Sequence, residues 1–183
     1  VIVNFYPFEE TLKNTKNNKK IIENIDIGGP TMVRAAAKNY NDVTVVTSIN
    51  QYDELISELN RYQGSTSEKF REKMSKYAFT ETAYYDSLIS NYFNKLTKDI
   101  FPRRKILSAN LISKLRYGEN SHQKGALYSS SKYFNLTQLH GKKLSYNNLN
   151  DTFAALNISK SLKKNLGVVI VKHANPCGVS INK

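Results

Sequence analysis

Residues 167–171 (GVVIV) form an unbroken apolar run that leads straight into Lys172 and His173, then into a segment holding Pro176 and Gly178. A short run of this kind, rich in β-branched side chains, predicts a strand buried on both faces. Such strands belong to sheets covered by helices, and open α/β sheets place their ligands just beyond the carboxyl ends of the strands. Two ionisable groups at that place mark a candidate site. Adjacent side chains on an extended backbone point to opposite faces. Lys172 and His173 therefore converge on one ligand only if the chain bends, and Pro176 and Gly178 supply the means. His173 suits a general base near neutral pH, and Lys172 suits stabilisation of a developing oxyanion. A solvated lysine and a structural histidine at a strand end is the competing reading. Cys177, with no partner in the pattern, reads as a buried thiol rather than a nucleophile.

Strand and helix signals alternate along the rest of the chain. Residues 1–8 (VIVNFYPF) predict a buried strand that stops at Pro7, which cannot donate to a ladder. Residues 9–23 read as a loop or weak helix. Residues 25–27 form a short extended piece ended by Gly28 and Gly29, and Pro30 suits the first turn of a helix running to 38. Residues 42–47 (DVTVVT) predict a central strand. Tyr52, Leu55, Ile56 and Leu59 fall at helical spacing. Residues 67–79 and 81–96 predict a long helical region whose aromatic side chains belong to the core or a dimer surface. The composition shifts at 97–105 (TKDIFPRRK), where we place a domain junction. Beyond it, 126–128 is a loop or strand, and 141–151 is a turn leading to a capped helix over 153–162. There is no internal repeat. The alternation in both halves predicts an α/β fold.

Composition narrows the classes. A chain of 183 residues, 40% of them hydrophobic, allows one large domain or two small ones with a sizeable core. Eight Gly and four Pro exclude collagen-like and Pro/Gly-rich disordered chains, and the single Cys excludes an internal disulfide and a multi-cysteine zinc site. No apolar run is long enough for a membrane helix, so a soluble protein of a reducing, cytoplasmic compartment is expected. The chain opens at Val1 in an apolar extended stretch without a signal-peptide pattern and reads as a piece of something longer. Its 27 basic against 15 acidic residues give +12. That surplus suits nucleic acid, an acidic membrane face or phosphorylated small molecules. The cations are dispersed, however, and the tightest cluster, 13–20 (KNTKNNKK), has no aromatic side chain to stack bases. A non-catalytic basic nucleotide- or RNA-binding module is thus kept only as the alternative to an enzyme.

Two further segments carry chemistry. In 25–39 (IDIGGPTMVRAAAKN) a Gly-Gly-Pro turn feeds a helix whose first N–H groups suit an anion or a polar heterocycle. Asp26 precedes the turn, and Lys38 follows about two turns into the helix. A capped helix with a surface lysine explains the same pattern. In 116–118, Arg116 and Tyr117 offer a planar cation and a phenol suited to phosphate, with His122 and Gln123 close behind.

Read together, NFYPF at 4–8, IDIGGPTMVRAAAKN at 25–39, AFTETAYYD at 78–86, RYGENSHQ at 116–123, LHGKKLSYNNLND at 139–151 and VKHANPCG at 171–178 resemble the bifunctional purine-biosynthesis enzymes that combine AICAR transformylase with IMP cyclohydrolase. The resemblance runs across essentially the whole chain. It implies that residues 1–101 are the C-terminal part of a methylglyoxal-synthase-like cyclohydrolase domain. Residues 102–183 would open a transformylase domain built of cytidine-deaminase-like units that work without zinc. It implies formyl transfer from 10-formyltetrahydrofolate to AICAR, then closure of formyl-AICAR to IMP with loss of water, in a cytoplasmic homodimer.

By position, the resemblance gives Lys38 proton transfer in ring closure, with Tyr6 lining that site and Val3, Asn4, Asp26 and Ile27 holding the nucleotide. In the transformylase it makes Lys172 and His173 the catalytic pair. Arg116 and Tyr117 bind substrate, and Asn148 lines the same pocket. Ser121 stands where the family usually has Pro. The family's phosphate-binding first strands and most of its transformylase fall outside residues 1–183, so neither activity is expected of this stretch alone.

Overall fold

The computed structural model describes residues 1–130, 136–162 and 167–181. They fall into two compact units, Val1–Ser108 and Ala109–Lys183, each built from its own helices and strands.

The first unit is mostly helical. Helices α1 (Phe8–Asn14) and α2 (Asn18–Glu23) come first, then α3 (Gly28–Lys38), a 3₁₀ turn (Ile49–Gln51), α4 (Tyr52–Arg61) and α5 (Glu68–Leu96). The Lys/Asn-rich stretch at 9–23, read as a loop or weak helix, is two short helices, with Asn17 accepting from the Lys20 N–H to cap the second. The aromatic region at 67–96 is one helix, started by the Ser67 side chain accepting from the Phe70 N–H. It is long enough to serve two cores. Phe70, Met74 and Ala78, spaced four apart on one face, pack with Val33, Ala36 and Ala37 of α3, with Val45 and Val46, and with Leu55 of α4. Further along α5, Tyr85 packs with Phe8 and Ile21, and Leu88, Ile89 and Tyr92 close over them. Tyr77, Phe79 and Phe93 remain on the surface.

Two polar contacts fix α3 against α5. The buried Ser75 hydroxyl donates to the Ala37 carbonyl at 2.7 Å, one of the last-turn carbonyls that a helix leaves without a partner. Arg71 donates from Nε to the Tyr40 carbonyl at 2.8 Å and from Nη2 to the Asn41 carbonyl at 2.6 Å, clamping the turn that follows α3.

The expected central strand at 42–47 is buried at Val45, Val46 and Thr47 but hardly paired. Its β-pairing with the first residues is one parallel bridge, Ile2 to Val46. The Val3 N–H donates to the Val46 carbonyl at 3.0 Å and the Val46 N–H to the Val1 carbonyl at 2.9 Å. With no further strand among the described residues of this unit, Val1 and Ile2 lie more than half exposed. The opening segment is extended but not a buried strand.

The second unit holds strands β1 (Asn110–Lys114) and β2 (Ala126–Ser129), helix α6 (Tyr146–Ser161), and strands β3 (Gly167–Lys172) and β4 (Asn175–Ile181). The strands make two separate antiparallel pairs, β1 with β2 and β3 with β4. Helix α6 starts at Tyr146 rather than Phe153, because Ser145 and Asn148 cap it reciprocally. The structure is therefore mixed α/β, but its described strands form hairpins rather than one parallel sheet. No helix among the described residues is long and apolar enough to cross a membrane.

Candidate functional site

In the first unit, Asp26 organises the predicted residues. Its Oδ1 accepts the Gly29 N–H at 2.8 Å and its Oδ2 the Tyr6 N–H at 3.3 Å. The carboxylate thus takes up one of the helix N–H groups that the sequence offers to an anion, and ties the strand-like segment at Val3–Tyr6 to the start of α3. The Asp26 N–H donates to the Tyr85 hydroxyl at 2.9 Å, which itself donates to the Asn24 carbonyl at 3.3 Å. Asn4 donates from Nδ2 to the Tyr52 hydroxyl at 3.0 Å, while Val3 packs against the main core.

Tyr6 and Ile27 present exposed side chains. Asn4 and Tyr6 line a cavity of about 270 Å³ shared with Thr47, Ser48, Glu81 and Tyr84. Burial pushes the Glu81 carboxyl above its ordinary range. Lys38 stands apart. It is exposed at the last turn of α3, about 15 Å along the axis from Gly28 at the standard rise, and it is not hydrogen-bonded to the other predicted residues. A larger cavity, about 580 Å³, lies elsewhere, among Leu12, Ile21, Leu88 and Tyr92.

In the second unit the predicted residues gather at the start of α6. The segment 116–117 runs beside 144–146: the Arg116 N–H donates to the Leu144 carbonyl at 2.9 Å and the Tyr146 N–H to the Tyr117 carbonyl at 3.2 Å. The Arg116 guanidinium lies 4.8 Å from the centre of the Tyr117 ring, and Nη2 donates to its hydroxyl at 3.0 Å. Hydrogen bonding to Ser145, then the Arg116 contact and charge, hold the Tyr117 phenol below its usual range. The buried Ser145 hydroxyl donates to Asn148 Oδ1 at 2.9 Å. Arg116, Tyr117 and Asn148 therefore form one cluster through Ser145.

The strand expected to be buried on both faces is half of a hairpin, and Val168 and Ile170 are exposed at 62% and 59%. The bend is not at Pro176 or Gly178. It falls at His173 and Ala174, both in the left-handed region at φ 53° and 60°, as a two-residue hairpin turn of the I′ kind requires. Pro176 and Gly178 lie within β4, where Cys177 is the extra residue of a bulge between the Val171–Pro176 and Ile170–Gly178 pairs. Pro in a strand commonly sits at such a bulge. Cys177 is exposed, contrary to the buried thiol expected.

Left-handed geometry is unfavourable for residues other than Gly by about 1–2 kcal/mol each, so the turn needs support. It has two ties: the Asn175 Nδ2 donates to the His173 carbonyl at 2.8 Å, and the Ala174 N–H donates to Asp151 Oδ1 at 2.7 Å. Asp151 sits three residues after Asn148 on α6, and positions three apart share a helix face. The first two turns of α6 thus hold the Arg116–Tyr117 cluster at one point and the Lys172–His173 turn at the next. Asp151 and Ser145 are the residues that sequence reading missed. Ser145 had a signal in the cap pattern S-x-x-N, whereas Asp151 had none. Among the described residues, no group of three or more His, Cys, Asp or Glu side chains is arranged to hold a metal ion.

A sequence profile described as the AICARFT/IMPCHase bienzyme matches residues 36–183. The chain belongs to this family. Proteins named bifunctional purine biosynthesis protein PurH are similar over its whole length. The one from Bartonella tribocorum is 46% identical across 98% of the chain. Those from Listeria innocua and Clostridioides difficile are 45% and 48% identical across all of it. The chain spans about a third of the length of these relatives, 34% to 37%. The AICARFT/IMPCHase match covers the cluster at α6 and the Lys172–His173 turn in full, and reaches Lys38 in the first unit.

Proposed function

We propose that this chain carries parts of the two catalytic sites of a bifunctional enzyme of purine biosynthesis. One site would transfer formyl from 10-formyltetrahydrofolate to AICAR; the other would close formyl-AICAR to IMP with loss of water. Residues 1–101 belong to the cyclohydrolase, in a methylglyoxal-synthase-like domain. Residues 102–183 open the transformylase, in cytidine-deaminase-like units. The full-length protein works in the cytoplasm as a homodimer and needs no catalytic metal.

The observation that carries the transformylase reading is the anchoring of two predicted groups on one helix. Arg116 and Tyr117 meet at Ser145 and Asn148, and the Lys172–His173 turn is tied to Asp151 a turn later. A guanidinium beside a phenol of lowered pKa suits the phosphate of a ribonucleotide. An aromatic amine conjugated to a carboxamide is a poor nucleophile, so formyl transfer to it needs a base and a cation beside the reacting carbonyl. His173 would accept the amine proton as the new C–N bond forms, and Lys172 would stabilise the oxyanion on the formyl carbon. Collapse of that intermediate would break the bond from the formyl carbon to N10 of the donor and release tetrahydrofolate, whose nitrogen takes up a proton. The cyclohydrolase reading rests on Asp26, which ties Tyr6 to the start of α3, with Lys38 as the proton-transfer group.

The test is formyl transfer and ring closure measured separately in the full-length protein that contains this chain. Both activities are expected. Binding to polyanions that weakens steeply with salt, with neither activity, would favour the nucleotide- or RNA-binding alternative.

A further inference from the structure

Three features lie outside the assigned roles: the apolar cavity at Leu12, Ile21, Leu88 and Tyr92, the exposed apolar segment at Ile100, Phe101, Ile106 and Leu107, and the Asp151 contact. The first two are apolar surfaces with no occupant indicated by the structure. The third is a defined polar contact to a strained turn at the proposed site.

We infer that Asp151 is a positioning residue for formyl transfer: its carboxylate holds the His173–Ala174 turn so that Lys172 and His173 address the same reacting group. The inference rests on the transformylase reading above. Lys172 and His173 are neighbours, and on a continuous strand they would diverge. Placing His173 itself in the left-handed region turns the chain between them. That conformation is unfavourable for both His173 and Ala174, and residues held there persist only where surrounding contacts fix them.

The Asp151 Oδ1 contact to the Ala174 N–H, at 2.7 Å and 23 residues away in sequence, is the tie from outside the hairpin; the Asn175 contact lies within it. A charged acceptor on a backbone N–H is a stronger bond than a neutral pair. Because α6 also carries Asn148 and is capped by Ser145, the same helix sets the distance between the substrate-holding cluster and the catalytic turn. Asp151 touches neither substrate nor the reacting atoms. It acts through the turn.

The roles of acceptor and charge separate in two variants of the full-length protein. Asp151→Ala removes the acceptor, while Asp151→Asn keeps an oxygen that the Ala174 N–H can use. Misplacing catalytic groups by about 1 Å costs on the order of 10²-fold. Asp151→Ala should therefore lower kcat for formyl transfer by about that factor, with KM for AICAR changed less than about threefold because Arg116 and Tyr117 are untouched.

Asp151→Asn should recover most of the loss, within roughly tenfold of the parent, and ring closure of supplied formyl-AICAR should be unchanged in both. Hydrogen exchange of the peptide spanning 171–176 should speed up in Asp151→Ala and not in Asp151→Asn, a readout that needs no activity. Equal loss in the two variants, or an unaltered kcat in Asp151→Ala, overturns the inference. Asp151→Ala that loses ring closure as well as formyl transfer also overturns it, since the effect would then be general unfolding. Failure of the underlying reading looks different: the parent protein itself would not transfer formyl, or Lys172→Ala would leave transfer intact.

Discussion

The Tyr85 hydroxyl accepts the backbone N–H of Asp26 at 2.9 Å, joining the middle of α5 to the residue that organises the start of α3. The same hydroxyl donates to the Asn24 carbonyl at 3.3 Å, and the Tyr85 ring lies 5.1 Å from Phe5, tilted at 59°, and meets Phe8 edge-on at 6.0 Å. One side chain thus closes a core and satisfies two backbone groups next to the predicted nucleotide-holding segment.

Tyr85→Phe keeps the rings packed and leaves the Asp26 N–H without its partner. It should destabilise the protein by about 1–3 kcal/mol, measurable by urea unfolding. The pH dependence has a definite sign. Burial pushes the Tyr85 phenol above its ordinary value of 10.0, so the folded state holds this proton more tightly than the unfolded state does. The contribution is complete below pH 10 and is lost as pH rises through the folded value. The parent should weaken more steeply above pH 10 than Tyr85→Phe. Identical alkaline slopes would remove Tyr85 from that account.

Gly29 is required by the Asp26 contact. A Cβ there would sit 2.5 Å from Asp26 Oδ2, so the carboxylate must swing away and release the N–H groups of Gly29 and Tyr6. Although alanine is the better helix former, Gly29→Ala should destabilise by roughly 1–2 kcal/mol, the range for a lost helix cap. A raised melting temperature in Gly29→Ala would contradict this.

The Tyr117 phenol should ionise below its ordinary value of 10.0, because Ser145 and Arg116 both favour its phenolate. A carbon NMR titration of labelled tyrosine resolves it. Ser145→Ala and Arg116→Ala should each move Tyr117 up toward its ordinary 10.0, and Ser145→Ala should also weaken α6 by about 1 kcal/mol through loss of its cap. A Tyr117 titration that neither substitution moves would separate it from the cluster.

The helices were legible because their signals are local. Ser67 and Ser145 announce caps in the sequence, and Phe70, Met74 and Ala78 repeat at the spacing of one helix face. Helix α6 begins earlier than its apolar pattern suggests because the reciprocal cap at Ser145 and Asn148 sets its start. Strand pairing was not legible in the same way. Residues 42–47 carry a strand's composition, and three of them are buried, yet a ladder depends on distant partners, and among the described residues only Val1–Val3 pairs with them. The hairpin turn misled for a different reason. Pro176 and Gly178 are the usual marks of a bend, but the left-handed residues are His173 and Ala174, whose side chains do not announce that conformation. Their support comes from Asp151, which no short-range pattern connects to them. The Lys172–His173 pair was visible from its place at a strand end; the geometry that aims it was not.

The central claim is that this chain contributes to two separate catalytic sites, with Lys38 serving one and Lys172 the other. Assaying the two half-reactions separately in the full-length protein tests it most directly. Lys172→Ala should reduce formyl transfer on the order of 10²–10³-fold and leave ring closure of supplied formyl-AICAR nearly intact. Lys38→Ala should do the reverse, with formyl-AICAR accumulating, and His173→Ala should follow Lys172→Ala. Equal loss of both half-reactions in either lysine variant would contradict the account.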